Sequence, residues 1–213
     1  MKYEPSVLAA PTDGKPMMRV HTLLLSTLIV VIASSALHGQ ELKQDWQLTD
    51  IAGRIHKPFE SGSTRGIVLV FVSSDCPIAN SYQPLLRRLS EQHEDNGIRF
   101  FQIHPRVTTT IQDARKHASD FEIVSPVLID TDQEITKRVG ATRTPEVAVY
   151  LRDEKTPIYQ GRIDNRYASY GKKRKFATSN ELADVLDELA AGRPLRRTTT
   201  KPIGCMIQFQ TRD

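Results

Sequence analysis

The chain contains two cysteines, Cys76 and Cys205, and the first stands where a cysteine becomes reactive. Cys76 lies in the sequence Ser73-Ser74-Asp75-Cys76-Pro77, between an apolar run and a helical pattern. A cysteine at such a strand-to-helix turn faces a helix N-terminus, whose positive end and free N–H groups favour the thiolate. The carboxylate of Asp75 acts in the opposite direction, because a nearby negative charge raises the pKa of a thiol. The position predicts a nucleophile, with a buried structural cysteine as the alternative.

A histidine is predicted near the same turn. His104 ends a predicted strand parallel to the strand that leads into Cys76, so both residues lie at one edge of the sheet. Together they would form an acid–base couple or half of a metal site, whereas a solvated strand end is the simpler interpretation. We predict no metal ligand set beyond this weak candidate pair, and no cofactor.

Strand and helix patterns alternate around these residues. Residues 66–73 form a continuous apolar run, which is typical of a central strand covered on both faces. Ile98–His104 and residues 123–129 are predicted as further strands, with helical patterns between them. Glu146–Leu151 and residues 157–163 are predicted as two strands joined by a short charged turn. Because alternating strands and helices imply parallel crossover units, we predict a three-layer α/β domain with a central mixed sheet and helices on both faces.

Capping patterns predict where the helices begin. Thr109-x-x-Gln112 and Thr131-x-x-Glu134 are predicted capping boxes, and Gly192 is predicted to end the last helix. Residues 40–192 are therefore predicted to form one domain. Residues 193–213 form a C-terminal tail that carries Cys205.

The first 39 residues are predicted to be a signal peptide. Residues 23–37 carry no charge, Arg19 precedes them, and small residues stand at their end. This arrangement is typical of a secretory signal, and the run is short for a membrane span of about 20 residues. Translation from Met17 or Met18 would give a signal of ordinary length. We expect a periplasmic or secreted protein, and a retained N-terminal membrane anchor is the alternative.

Composition narrows the classes of function. With 39% hydrophobic residues in 213, the chain is too apolar to be disordered. A net charge of +4 gives no argument for binding nucleic acid. Basic and aromatic residues alternate between positions 162 and 176, and we interpret them as a solvated loop or as a patch for acidic surfaces. No nucleic-acid partner is predicted.

Several segments together resemble a known family. They are the strand–Cys76–helix unit, Ser125-Pro126-Val127-Leu128-Ile129-Asp130, Gly140-Ala141-Thr142-Arg143-Thr144-Pro145-Glu146-Val147 and Tyr159-Gln160-Gly161-Arg162-Ile163-Asp164. In this order the chain resembles the thioredoxin-like redoxins, the alkyl hydroperoxide reductase and thiol-specific antioxidant group, over about residues 46–192. The resemblance implies a thioredoxin-like fold. It also implies that Thr144–Pro145 is a cis-proline loop that faces Cys76 and offers backbone groups to an extended substrate.

The chain departs from the redox motifs of this superfamily. Ala79 and Asn80 stand where Cys-x-x-Cys and Cys-x-x-x-Cys members carry their second cysteine. Ser73 matches the hydroxyl position of the peroxiredoxin pattern Pro-x-x-x-Thr/Ser-x-x-Cys, but Leu69 replaces its proline. Arg143 is either a cation that stabilises a thiolate or an exposed loop charge. The predicted substrate groove consists of Ser73, Pro77, Arg143, Thr144 and Pro145.

By the same resemblance, Cys205 is the candidate resolving thiol, which condenses with a sulfenic acid formed on Cys76. A permanent disulfide that silences Cys76 and a thiol that joins two subunits are the alternatives. Pro194 and Pro202 favour an extended tail. The stretch between Gly192 and Cys205 then reaches roughly 40 Å, enough to cross a small domain.

The sequence thus predicts an extracytoplasmic thiol-dependent oxidoreductase. Cys76 would attack a peroxide or a protein disulfide, and an unidentified external thiol donor would restore it. A catalytically inactive thioredoxin-fold module that binds a metal or a partner protein is the alternative. Membrane association is expected only if the N-terminal segment is retained.

Overall fold

The structure, a computed structural model, describes residues 46–59 and 62–210. The predicted signal peptide lies outside the described residues. The strands are β1 (Leu48–Thr49), β2 (Ile55–His56), β3 (Gly66–Phe71), β4 (Ile98–His104), β5 (Val127–Ile129), β6 (Arg143–Thr144), β7 (Glu146–Leu151), β8 (Tyr159–Gly161), β9 (Tyr167–Ser169), β10 (Lys172–Lys173), β11 (Thr198–Thr199) and β12 (Cys205–Met206). The helices are α1 (Pro77–His93), α2 (Ile111–Asp120), α3 (Glu134–Val139) and α4 (Glu181–Ala190). None of these helices is long and apolar enough to cross a membrane.

Six strands form the central sheet, in the order β11-β8-β7-β3-β4-β5. Strands β3, β4 and β5 run parallel to one another, with α1 and α2 in the connections between them. Strand β7 is antiparallel to β3, and β8 is antiparallel to β7. Parallel strands joined by helices and closed by an antiparallel pair form the thioredoxin-like fold, so the predicted fold class is confirmed.

The side chains of β3 alternate between two apolar clusters. Val68 and Val70 belong to a cluster that includes the apolar faces of α1 and α4. Ile67 and Leu69 belong to a second cluster on the other face, which contains Trp46 and part of α3. All six residues of β3 are buried. Because both faces of β3 are covered, apolar residues are favoured at every position, and the apolar run is therefore continuous in the sequence.

The predicted capping boxes are wrong in detail. Helix α2 is capped by Thr110 and Asp113, one residue later than predicted: the Asp113 N–H donates to Thr110 Oγ1 at 3.1 Å, and the Thr110 N–H donates to Asp113 Oδ2 at 3.0 Å. The carboxylate is a stronger acceptor than the amide of Gln112, which favours this register. At α3 the capping acceptor is Asp130, whose carboxylate accepts from the Thr136 N–H at 2.8 Å.

The third predicted strand is shorter than expected. The apolar pattern predicts a strand over residues 123–129, whereas β5 covers Val127–Ile129. The N–H of Ile123 donates to Ala118 O at 2.9 Å, so this residue still belongs to the end of α2. Pro126 has no N–H to give to the sheet, and the ladder therefore starts after it.

The tail follows an extended path back over the domain, as predicted. Gly192, at φ +67°, ends α4. Strand β11 then adds to the sheet edge parallel to β8, with Thr198 opposite Tyr159. Farther along, β12 pairs antiparallel with β6, which places Cys205 opposite Thr144. The tail therefore brings its cysteine to the predicted active-site loop.

Candidate active site

Cys76 caps the N-terminus of α1, as the sequence predicted. Its backbone is extended, Pro77 occupies the first turn, and the sulfur accepts a hydrogen bond from the Ala79 N–H at 3.5 Å. The Cys76 N–H donates to Ser73 O at 3.0 Å, which closes the turn before the helix. Proline suits this position because its fixed φ matches the helix and its missing N–H needs no partner there. The sulfur thus takes the place that a serine or aspartate oxygen commonly holds.

The environment of Cys76 favours its thiolate. The side chain is 1% exposed, and this burial raises the pKa of the thiol. Hydrogen bonds from the Cys205 side chain and from the N–H groups of Ala79 and Cys205 outweigh burial, so the pKa of Cys76 lies below its ordinary value. Donors aimed at a sulfur stabilise its charged form. The Cys76 thiol is therefore buried and still has a lowered pKa.

The loop facing Cys76 contains a cis peptide bond between Thr144 and Pro145, as predicted. Cys76 Sγ lies 2.9 Å from Thr144 O. Glu146 fixes this loop, because one carboxylate oxygen accepts the N–H groups of Thr142 at 2.8 Å and Arg143 at 3.1 Å. The carboxylate of Glu146 thus ties together the residues before and after the cis bond, and this holds Thr144 O beside the sulfur of Cys76.

Cys205 is the second sulfur of the site. It packs against the apolar cluster that contains Cys76 and lines the same cavity, and both cysteines are free. The pKa of Cys205 is raised to about 12. Burial is the largest cause, and hydrogen bonding to Cys76 and the negative charge of a Cys76 thiolate act in the same direction. The pKa of Cys76 is thus lowered and that of Cys205 is raised, so Cys76 is the first of the two thiols to lose its proton.

Gly204 allows the tail to come this close. A Cβ atom at this position would lie 2.0 Å from Thr144 O. No side chain fits in that space, because the atom it would meet belongs to the backbone. The glycine before Cys205 is thus a requirement of the strand pairing, and the sequence analysis did not identify it.

The other predicted groove residues take different positions. Arg143 donates from Nη1 to Gly204 O at 3.1 Å and so holds the tail. Ser73 lines the cavity beside Cys76, and its hydroxyl accepts the Asp75 N–H at 3.4 Å. Pro77 is exposed, whereas Pro145 is buried in the loop.

Asp75 forms an ion pair with Arg106 across the mouth of the site. Both side chains are more than half exposed, so the pair contributes little to stability. Its importance is local, because the guanidinium partly neutralises the carboxylate next to Cys76. The expected opposition of Asp75 to thiolate formation is thereby reduced. Arg106 is a site residue that the sequence analysis did not identify.

His104 is fully buried and pairs with another histidine. Its Nε2 lies 3.3 Å from Nδ1 of His117, and His117 Nε2 lies 2.9 Å from Asn80 Oδ1. Asn80 Nδ2 donates to Ser74 O at 2.8 Å, in the turn before Cys76. His104 is therefore neither a solvated strand end nor a ring in hydrogen-bond contact with Cys76. It supports the active-site turn through two other side chains.

This chain of contacts fixes the histidine tautomers. Because Asn80 Oδ1 is an acceptor, His117 donates from Nε2 and accepts at Nδ1. His104 must then donate from Nε2, which leaves its Nδ1 as a buried acceptor with no hydrogen-bond partner among the described residues. Burial lowers the pKa of His104 to about 4 and also lowers the pKa of His117. In the part of the chain that the structure describes, no three His, Cys, Asp or Glu side chains cluster as metal ligands would.

A cavity of about 210 Å³ adjoins the two sulfurs. The turn of Ser73, Asp75 and Cys76 forms one wall, Pro105 and Arg106 a second, and tail residues 205–208 a third. The liquid volume of a water molecule is about 30 Å³, so the cavity has room for a small solute.

Gln133 holds the tail at Gln208 and Gln210. Its Nε2 donates to Gln208 O at 2.7 Å and to Pro105 O at 2.8 Å, and its Oε1 accepts the Gln210 N–H at 2.9 Å. The side chain is fully buried, and the backbone has φ +56°. Its position between two predicted elements gave no signal in the sequence.

Several solved structures share this fold. A hypothetical protein from Sinorhizobium meliloti is 22% identical with a TM-score of 0.67, over 79% of this chain and 92% of that one. An uncharacterized conserved protein from Geobacillus kaustophilus is 23% identical with a TM-score of 0.67, over 80% and 92% of the two chains. The peroxidoxin BcpB from Mycobacterium tuberculosis is 17% identical with a TM-score of 0.51, over 70% and 94%. No protein-family model and no curated protein matches this chain.

Proposed function

We propose that this protein is an extracytoplasmic thiol oxidoreductase of the redoxin type, with Cys76 as nucleophile and Cys205 as resolving thiol. The observation that carries the proposal is the pairing of β12 with β6, which places Cys205 opposite Thr144, whose carbonyl oxygen lies 2.9 Å from the sulfur of Cys76 at the N-terminus of α1. The lowered pKa of Cys76 and the raised pKa of Cys205 agree with these roles. A structural cysteine needs neither a helix N-terminus nor a second thiol delivered by a distant tail. Export, predicted from residues 1–39, would place the domain where disulfides persist.

With a hydroperoxide, the Cys76 thiolate attacks one peroxide oxygen. An S–O bond forms, the O–O bond breaks, and the departing alkoxide or hydroxide takes up one proton. The product on Cys76 is a sulfenic acid. The sulfur of Cys205 then attacks that of Cys76, an S–S bond forms, and the sulfenic oxygen leaves as water.

With a protein disulfide, the same pair follows thiol–disulfide exchange. The Cys76 thiolate forms a mixed disulfide and releases one substrate thiolate. Cys205 then attacks Cys76 and releases the second. Both routes end in a Cys76–Cys205 disulfide, which two external thiols reduce while they become a disulfide themselves.

The raised pKa of Cys205 suits its later role. Before oxidation the negative charge on Cys76 helps to keep Cys205 protonated, which in turn stabilises the Cys76 thiolate. Oxidation of Cys76 removes this charge. One cause of the raised pKa of Cys205 is then lost, and its proton leaves more easily when Cys205 must attack.

The proposal is tested by mass spectrometry after treatment with stoichiometric peroxide. We expect the wild-type protein to yield a cross-linked Cys76–Cys205 peptide. A Cys205→Ser variant should instead accumulate sulfenic or sulfinic acid on Cys76. Equal over-oxidation of Cys76 in both proteins would show that Cys205 is not the resolving thiol.

The pH dependence of alkylation separates the enzyme from an inactive binding module. In the reduced protein, the alkylation rate of Cys76 follows the fraction of thiolate. We expect a midpoint below about 8.5, the ordinary pKa of a cysteine. A midpoint at or above that value, together with no oxidation by peroxide, would favour the binding module.

A further inference from the structure

The tail occupies the strand edge beside the nucleophile. Strand β12 pairs antiparallel with β6, and Ile207 N–H donates to Thr142 O at 2.9 Å. An open strand edge binds any extended segment through main-chain hydrogen bonds, and the neighbouring pockets select side chains. In this protein the segment on the edge of β6 is β12 of the same chain, and its Cys205 side chain lies beside Cys76.

This docking is anchored at both ends. Arg143 holds Gly204 O, and the buried amide of Gln133 holds the backbone at Gln208 and Gln210. These contacts lie on either side of Cys205. The tail is thus fastened over Cys76 at points on both sides of Cys205.

The docked tail determines what can reach Cys76. With the tail in place the Cys76 side chain is 1% exposed, and it adjoins a cavity of about 210 Å³. Hydrogen peroxide or a small organic hydroperoxide fits this volume. An extended protein segment does not, because the edge it would pair with already carries β12.

We propose that the docked tail restricts Cys76 to small hydroperoxides, and that protein disulfides react only after residues 204–210 leave β6. This selectivity rests on the proposed function, since it concerns the substrate of the same nucleophile. In the docked state the thiolate takes an oxygen from the hydroperoxide and an alcohol or water leaves. In the undocked state it attacks a protein disulfide, forms a mixed disulfide and releases one substrate thiolate. The tail then returns, and Cys205 attacks Cys76 and releases the second substrate thiolate.

Gly204 offers a way to undock the tail without touching a sulfur. In Gly204→Ala the new Cβ would meet Thr144 O at 2.0 Å, so the pairing of β12 with β6 must open. Gly62→Ala is the matched control, because a Cβ there has no neighbour within 4 Å and the residue is exposed. Ile207→Pro is a second undocking variant, since it removes the N–H that bonds Thr142 O.

Access to Cys76 can be measured without any turnover. In a Cys205→Ser background Cys76 is the one remaining thiol, and N-ethylmaleimide is compared with a maleimide attached to a long polyethylene glycol chain. We expect Gly204→Ala and Ile207→Pro to raise the rate with the large reagent, relative to the small one, by roughly 5- to 150-fold. Gly62→Ala should leave the ratio unchanged. If both undocking variants leave the ratio unchanged, the tail is not a barrier and the proposal is wrong.

Substrate preference is then measured with both cysteines present. We expect the wild-type protein to consume hydrogen peroxide and to react slowly with an oxidised protein disulfide. Gly204→Ala should react with the disulfide faster, by a similar factor, while Gly62→Ala behaves as wild type. Rapid reaction of the wild type with the disulfide would overturn the selectivity and leave the thiol chemistry intact. An accessible but unreactive Cys76 would instead overturn the proposed function.

Discussion

Acid should destabilise this protein through the buried histidine His104. In the folded state its pKa is lowered to about 4, from an ordinary value of 6.5, first by burial and second by the nearby His117. Asp113 and Asp75 raise the pKa of His104, but less than burial lowers it. The unfolded chain therefore binds a proton at this residue over a pH range in which the folded chain does not.

The sign and size of the effect follow from this difference. Where the unfolded state binds more protons, stability rises with pH. The contribution of His104 is therefore complete above pH 6.5 and is lost as the pH falls toward 4. At about 1.36 kcal/mol per pH unit, this interval corresponds to about 3 kcal/mol. The pKa of His117 is also lowered, chiefly by burial, so its loss has the same sign.

The test is a comparison of wild type with His104→Gln. The glutamine amide can donate to Nδ1 of His117 from nearly the position of Nε2, but it does not titrate. Free energies of unfolding are measured with urea at pH 7, 6, 5 and 4. Between pH 7 and pH 4 we expect the wild type to lose about 3 kcal/mol more than the variant. Parallel pH profiles would refute the assignment of acid sensitivity to His104.

Two further predictions concern export and the core. N-terminal sequencing of protein from the native host should find a start between residues 37 and 40, and recovery of residues 23–37 would favour a retained anchor. Tyr82→Phe should lower the free energy of unfolding by about 1.5–3 kcal/mol, because the Tyr82 hydroxyl donates to the carboxylate of Asp164, which is 2% exposed. Tyr170→Phe, at a residue 69% exposed, is the control, and equal losses in the two variants would contradict the reasoning.

The sequence determined those parts of the site that depend on residues adjacent in the chain. Cys76 follows a continuous apolar strand and precedes Pro77, so its place at a helix N-terminus could be predicted from local pattern alone. The cis bond at Thr144–Pro145 was predicted from the resemblance of its segment, and the structure confirms it. The fold class followed from the alternation of strands and helices, which reflects which faces each element must bury.

The errors at helix starts have a local cause as well. Thr109 and Thr110 both offer a hydroxyl, and the register is decided by which acceptor three residues later is stronger. Asp113 provides a carboxylate, and it determines where α2 begins. Such choices differ by small energies, so a pattern predicts that a helix exists more securely than its first residue.

The tertiary structure decided how the site is completed. Cys205 reaches Cys76 because β6 leaves an edge that the tail can pair with, and because Gly204 has no Cβ to meet Thr144 O. His104 supports the turn before Cys76 through His117 and Asn80. These contacts join residues far apart in sequence, and periodicity carries no information on which distant segments meet. Such pairings are selected by backbone edges, buried polar groups and close approaches, which exist only once the sheet and its helices have formed.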